Sequence, residues 1–386
     1  MDYFNYVNID DNLSSKRIIC VPKYKNRNYN FVDVLNIELI LNQIFQFMNI
    51  KDKKFLSLCN KKINKYYWNQ IKHIKISDDF GVLTIKNLIN KCINLIHLDL
   101  SFCNKIEDYS YISKLEKLEI LNLRSTNVSS ISFLEKNKNI KELYLEDCLN
   151  IEDFIPLLKL NNLEILYLCN TKVSDISFLE NNKKIKELNF DFCGEIEDFN
   201  PISYLENLEI LILFNTNISN ILFLEKNKNI KELDLGLCVQ IQDFIPISKL
   251  EKLEILSFSN DNISDISFIE KNKNIKELNL NYCKNIEDFN PISNLEKLEI
   301  LTLIKTNISD ISFLEKNKNI KELNLDDWKN IKDFNPILKL EKLEFLDHIK
   351  ANVSDISFFE KIKIKNFQYN EYWNFGDLLF NFWIRK

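Results

Sequence analysis

The chain has 386 residues, a net charge of −5, 45% hydrophobic residues, nine cysteines and only four glycines. That acid balance leaves no electrostatic footprint for nucleic acid, and no apolar run is long enough to cross a bilayer, so neither nucleic acid nor membrane is expected as a partner. The opening MDYFNYVNIDDN has neither the basic start nor the apolar stretch of an export signal. Residues 1–30 are therefore read as a leading segment of a cytoplasmic protein whose cysteines stay reduced.

Residues 31–70 have helical apolar spacing, with Leu35, Leu39, Ile40, Ile44, Phe45, Phe47 and Met48 in one group and Phe55, Leu56, Leu58, Cys59 and Ile63 in a second. Asp52 suits the cap of the second group. Two or three helices of this size bury little by themselves and share their apolar face with a neighbour or partner. The stretch resembles an F-box: Leu35, Glu38, Leu39, Ile44, Phe45 and Met48 match its first part, and Asp52, Leu56, Leu58, Cys59 and Lys61 its second, with Trp68 standing for the later tryptophan. Asn36 replaces the usual proline, and Lys53 and Lys54 stand where an apolar residue is common. The resemblance implies that Leu35, Glu38, Leu39, Ile44, Phe45, Met48, Leu56 and Leu58 dock a Skp-type adaptor.

Residues 71–94 read as an irregular first repeat, with Ile71, Ile74 and Ile76 followed by a helix-like FGVLTIKNLINKC. From Leu95 to Ile364 the chain repeats with a period of 45 residues, as the column Cys103, Cys148, Cys193, Cys238, Cys283 and Trp328 shows. Each copy has two halves, NIKELYLEDCLNIEDFIPLLKLN and NLEILYLCNTKVSDISFLENNK in the clearest case, and both follow L-x-x-L-x-L-x-x-(N/C/T). This is the leucine-rich-repeat pattern. Six copies make twelve repeats of 23 and 22 residues. The expected fold class is α/β, a leucine-rich-repeat solenoid curved like a horseshoe, with a parallel sheet on its concave side, short turns or 3₁₀ segments on its convex side, and a small N-terminal helical module.

In x-L-x-L-x the side chains alternate sides, so the leucines point into the coil and the x positions face outward. One repeat cannot bury enough surface to stand alone, so the ends need different sequence. Residues 365–386 answer that need, with Trp373, Phe375, Leu378, Leu379, Phe380, Phe382 and Trp383 read as a plug over the last repeat. On the other side, D-F-x-P-I and S-D-I-S-F segments suit short turns, and the phenylalanine columns Phe154 to Phe334 and Phe133 to Phe358 read as interior spines. Column cysteines two repeats apart stand roughly 10 Å from one another, beyond the reach of a disulfide or a shared zinc. They read as packed thiols, and no metal or cofactor is expected.

No catalytic constellation emerges. His73, His97 and His348 are far apart in the array, the phosphate-loop, C-x-x-C and H-E-x-x-H motifs are missing, and paired acids such as Glu152 and Asp153 recur with the copies as turn chemistry. An enzyme is not expected.

The outward columns are candidates for contact. One alternates Glu142, Glu187 and Glu232 with Ile120, Ile165 and Ile210; a second holds Asn122, Tyr144, Tyr167, Asn189, Ile212 and Asp234; a third holds Arg124, Cys169, Phe214 and Ser259. An acidic concave face with Tyr144, Tyr167 and Phe214 near its middle fits a protein partner with basic and apolar groups. The whole chain is similar to F-box/leucine-rich-repeat proteins, and its heavy use of Ile, Asn and Lys is like that of proteins of large amoeba-infecting DNA viruses, which would place it in a host cytoplasm. That resemblance implies the substrate receptor of a Skp-cullin ubiquitin ligase, a monomer outside its complex. The alternatives are a repeat scaffold without a ubiquitin role and a regulatory subunit docked on an enzyme such as a phosphatase.

Overall fold

The computed structural model describes residues 68–69, 71–76, 82–259, 262–326, 330–349 and 366–368. The segment 1–30, the helical module 31–70 apart from Trp68 and Asn69, Trp328, and the plug from Trp373 to Trp383 lie outside the described residues. The chain divides into two compact units, with the boundary between Ile151 and Glu152.

In the first unit, strands β1 (His73–Lys75), β2 (His97–Asp99), β3 (Ile120–Asn122) and β4 (Glu142–Tyr144) pair in parallel, His73 opposite His97, His97 opposite Ile120 and Ile120 opposite Glu142. The helix-like stretch of the irregular first repeat is helix α1 (Val82–Lys91). Later returns are shorter, 3₁₀ turns at Ser110–Lys114 and Ser132–Lys136.

The second unit continues the theme with strands β5 (Ile165–Tyr167), β6 (Glu187–Asn189), β7 (Ile210–Ile212), β8 (Glu232–Asp234), β9 (Ile255–Phe258), β10 (Glu277–Leu280), β11 (Ile300–Thr302), β12 (Glu322–Asp326), β13 (Phe345–Ile349) and β14 (Asn366–Gln368). Each pairs in parallel with the next. The returns are 3₁₀ turns such as Ile155–Lys159 and Asn200–Tyr204, with one α-helical turn, α2 (Asn335–Leu338). This is a leucine-rich-repeat solenoid with a parallel sheet and 3₁₀ returns.

The sequence accounts for each part of the repeat. The central strand leucines, Leu121 and Leu143 in the first unit and Leu166, Leu188, Leu211 and Leu233 in the second, are wholly buried, each contributing roughly 2 kcal/mol. The phenylalanine spines pack as expected: Phe154, Phe178, Phe199 and Phe223 are buried, and Phe244 stacks on Phe268 with ring centroids 5.8 Å apart. Before most 3₁₀ turns a short acid closes the chain on itself, as where Asp153 Oδ1 accepts the Ile155 N–H (2.9 Å) and Asp198 Oδ1 the Asn200 N–H (2.9 Å), while Ser130 and Asn220 take that place before two others. The recurrent acids are thus turn formers. Proline in the first turn of Ile155–Lys159, Asn200–Tyr204 and Ile245–Lys249 supplies the required φ.

Adjacent repeats are also tied by side chains. Cys148 Sγ donates to the Leu123 carbonyl (3.0 Å), Cys193 to Leu168 (3.1 Å) and Cys238 to Leu213 (2.9 Å), and Thr126, Thr171 and Thr216 donate to the same carbonyls. Burial pushes the Cys148 and Cys238 thiols up to about 11, so they remain S–H donors. Where alternate repeats carry leucine, Asn137, Asn182, Asn227, Asn272 and Asn317 are buried, each Nδ2 donating to two carbonyls of the preceding repeat.

One backbone feature carries no glycine signal in the sequence. Just past the strands, Phe102, Ser125, Asp147, Asn170, Phe192, Asn215, Leu237, Tyr282 and Lys305 are left-handed, with φ between 52° and 65°. The bend turns each N–H onto the next repeat, Asn215 to the Gly236 carbonyl (2.8 Å) and Leu237 to that of Ser259 (3.0 Å). Left-handed backbone costs an ordinary residue about 1–2 kcal/mol, asparagine less and a β-branched residue more. Leu237→Asn is accordingly expected to exceed Leu237→Val in stability by about 1–2 kcal/mol, read as a difference in urea unfolding midpoint at unchanged slope.

Candidate functional site

The outward face of the strands is built in three rows. In the second unit the first row runs Ile165, Glu187, Ile210, Glu232, Ile255, Glu277, Ile300 and Glu322, each opposite the next across the sheet. All eight are half-buried. The isoleucines form no continuous stripe, since Ile210, Ile255 and Ile300 each lie between two glutamates. Alternation keeps glutamates two strands apart, about 10 Å, which relieves the repulsion that like charges directly opposite would suffer. Behind this row, Lys186 pairs with Glu164, Lys231 with Glu209 and Lys276 with Glu254, each at 2.6 Å. These exposed pairs are screened by solvent and add little to stability.

The second row is Tyr167, Asn189, Ile212, Asp234, Ser257, Asn279, Thr302 and Asn324. Tyr167 is half-buried, its Oη donating to Glu187 Oε2 (3.0 Å). The third row, reached through the hydrogen bonds past the strands, includes Asp191, Phe214, Gly236, Ser259 and Ile304. Among these three rows of the second unit, Ile165 to Asn324, stands no lysine or arginine.

Phe214 departs from the expectation of an outstanding anchor, because it is only 8% exposed. Its ring lies over Gly236, where an added Cβ would stand 2.5 Å from Phe214 Cδ2, and meets Phe192 edge-on with centroids 5.4 Å apart. Glycine is required at 236 by this close approach, not by its φ. Ile212 beside it is 4% exposed. The exposed aromatic at this place is Phe192, on the left-handed bend.

Two carboxyls stand on the strands either side of Phe214's own, Asp191 just past β6 and Asp234 on β8. Asp191 is 9% exposed and its Oδ1 has no hydrogen-bond partner. Asp234 is half-buried, and its Oδ1 accepts the Gly236 N–H (2.8 Å). Burial, with the charge of Asp234 adding to it, pushes the Asp191 carboxyl up to about 8, and burial pushes Asp234 up to about 6. Asp191 was not among the sequence candidates. Its offset from Glu187 equals that of Phe214 from Ile210, so extending the third column through both halves of each copy reveals it.

In the first unit, Tyr144 Oη donates to Glu142 Oε2 (3.0 Å) and both are half-buried, while Arg124 lies 4.0 Å from Asp147. The histidines His73 and His97, distant in sequence, face each other across β1 and β2 with ring centroids 5.9 Å apart. Register in the parallel ladder is what joins them. Burial holds both imidazoles below their ordinary value, and the nearby Asp99 is held by the Ser101 N–H (2.9 Å) and Lys75 (2.9 Å). On the return side of the second unit a cleft lined by Lys284, Asp288, Asn290 and Asp310 is bordered by acids already closing turns. Among the described residues no group of three or more His, Cys, Asp or Glu is set to hold a metal, and no helix is long and apolar enough to cross a membrane.

A carboxyl whose proton is held more tightly folded than unfolded leaves stability full below about pH 4, and that stability is lost as pH rises through the folded values, about 6 for Asp234 and about 8 for Asp191. Asp191→Asn is therefore expected to match the parent near pH 4 and to exceed it at pH 8.5 by at least about 1.4 kcal/mol, the equivalent of one pKa unit, in urea unfolding followed at both pH values.

Comparison with known proteins supports the fold. No protein-family model matches the chain. Among solved structures, an internalin (inlF) of Listeria monocytogenes is 25% identical, covering 74% of this chain and 89% of its own at a TM-score of 0.62. A leucine-rich-repeat protein of Leptospira interrogans is 22% identical over 75% of this chain and 81% of its own, TM-score 0.58. A TDR receptor is 17% identical over 75% of this chain and 57% of its own, TM-score 0.52.

Proposed function

We propose that this chain is a non-enzymatic protein-interaction module whose strand face holds a protein partner, and that its N-terminal segment makes it the substrate receptor of a Skp-cullin ubiquitin ligase. The observation that carries the first half is the contrast within each repeat. Inward leucines are uniform and buried, whereas the outward second row changes from Tyr167 to Asn189, Ile212, Asp234 and Ser257 over five successive strands. The acidic first row and the lack of lysine or arginine among these rows favour a partner with basic and apolar groups. In the second unit, Tyr167, Ile165, Ile210, Glu187 and Glu232 are the half-buried residues offered to it.

The ubiquitin half rests on the resemblance of residues 31–70 to an F-box. Leu39 and Phe45 would enter the adaptor there, joined by Leu35, Glu38, Ile44, Met48, Leu56 and Leu58. A plain binding scaffold is the second reading, since the strand face alone suffices for it. The purified full-length chain, mixed with a purified Skp-type adaptor and examined by size-exclusion chromatography, is expected to form a complex that Leu39→Asp with Phe45→Asp abolishes. If the unaltered chain elutes apart from the adaptor, the ubiquitin role falls and the scaffold stands.

A further inference from the structure

Resting on the protein-binding reading above, we propose that the strand face of the second unit receives an arginine side chain of the partner, its guanidinium held by Asp191 and Asp234 against the aromatic pair Phe214 and Phe192.

Three observations converge on this place. Asp191 is nine-tenths buried and one of its oxygens has no hydrogen-bond partner. A buried acceptor left unpartnered is costly, and no lysine or arginine stands on the three rows of the second unit, Ile165 to Asn324, to offset it. Asp234 lies near enough for its charge to be felt at Asp191, so two groups of one sign share an apolar setting without a counter-charge. Near neutral pH a protonated Asp191 relieves the repulsion with Asp234 when the face is empty, and an arriving cation restores the second charge.

The apolar wall decides which cation fits. Phe214 and Phe192 meet edge-on, 5.4 Å between centroids, and the absence of a side chain at Gly236 lets the Phe214 ring close down there. A planar guanidinium stacks on such rings and offers several N–H donors in a fixed fork, whereas an ammonium offers a compact point charge. Asp234, half-buried, and Phe192, 46% exposed, form the accessible margin of the slot. Phe192 sits on the bend outside the strand, so its ring can turn aside for an incoming side chain while the ladder stays intact.

The test is a random dodecamer peptide library displayed on phage, panned against the purified full-length chain, with enriched peptides resynthesised and their affinities measured by fluorescence anisotropy. Enriched peptides are expected to carry an arginine whose replacement by lysine or citrulline weakens binding at least tenfold. The same peptides are expected to bind the Asp191→Asn, Asp234→Asn variant at least tenfold more weakly. Neutral amides relieve the like-charge pair, so that variant should melt no lower than the parent, which separates lost recognition from lost folding. Peptides that bind the variant as well as the parent, or that lack arginine, overturn the slot. If those peptides lose binding on Ile210→Asp, the protein-binding reading survives without the slot. A library that enriches nothing over an unrelated control protein overturns both.

Discussion

Parallel pairing in strict register is the constraint from which the other features descend. Each strand is only three to five residues long, too short to stand without neighbours, and each leucine is buried only because the repeats before and after it cover it. Repeats of 22 and 23 residues with no insertion then place like residues in rows across the sheet. Rows amplify whatever they contain. Hydrogen-bonding side chains gain from this, as the donors Cys148, Cys193 and Cys238 show by meeting equivalent carbonyls at 2.9–3.1 Å.

Rows of like charge would suffer in the same way, and the two-half organisation of the copy avoids that. Glutamate in one half alternates with isoleucine in the other, and the lysine preceding each glutamate pairs with the glutamate of the neighbouring half. A period of one repeat would have set glutamates directly opposite each other on every strand. Doubling the period spaces them while leaving the leucine scaffold unchanged.

The ladder also explains why strain is tolerated. Left-handed Leu237 and Phe192 are poor choices by local preference, yet only that bend brings their N–H groups to the carbonyls of Ser259 and Phe214. The third row of the face begins at this bend, so the strained residues border the place where Asp191, Phe214 and Gly236 crowd together. An acid buried without a partner in that crowd weakens the fold at neutral pH. Such a cost is spent where a face is shaped for something other than stability.

Leucine columns, phenylalanine spines and 3₁₀ returns were legible in the sequence because each depends on alternation and spacing within one repeat. The acids before most turns were legible for the same reason, since Asp153 and Asp198 bond two residues ahead. His73 facing His97, the burial of Phe214 over Gly236, and the isolation of Asp191 depend instead on residues 22 to 24 positions away, brought side by side by register and leaning in directions that spacing does not specify. Periodicity along the chain therefore determined the scaffold and the identity of its outward rows. Only the tertiary structure decided which outward side chains cover one another, because burial on the face is settled between strands rather than along them.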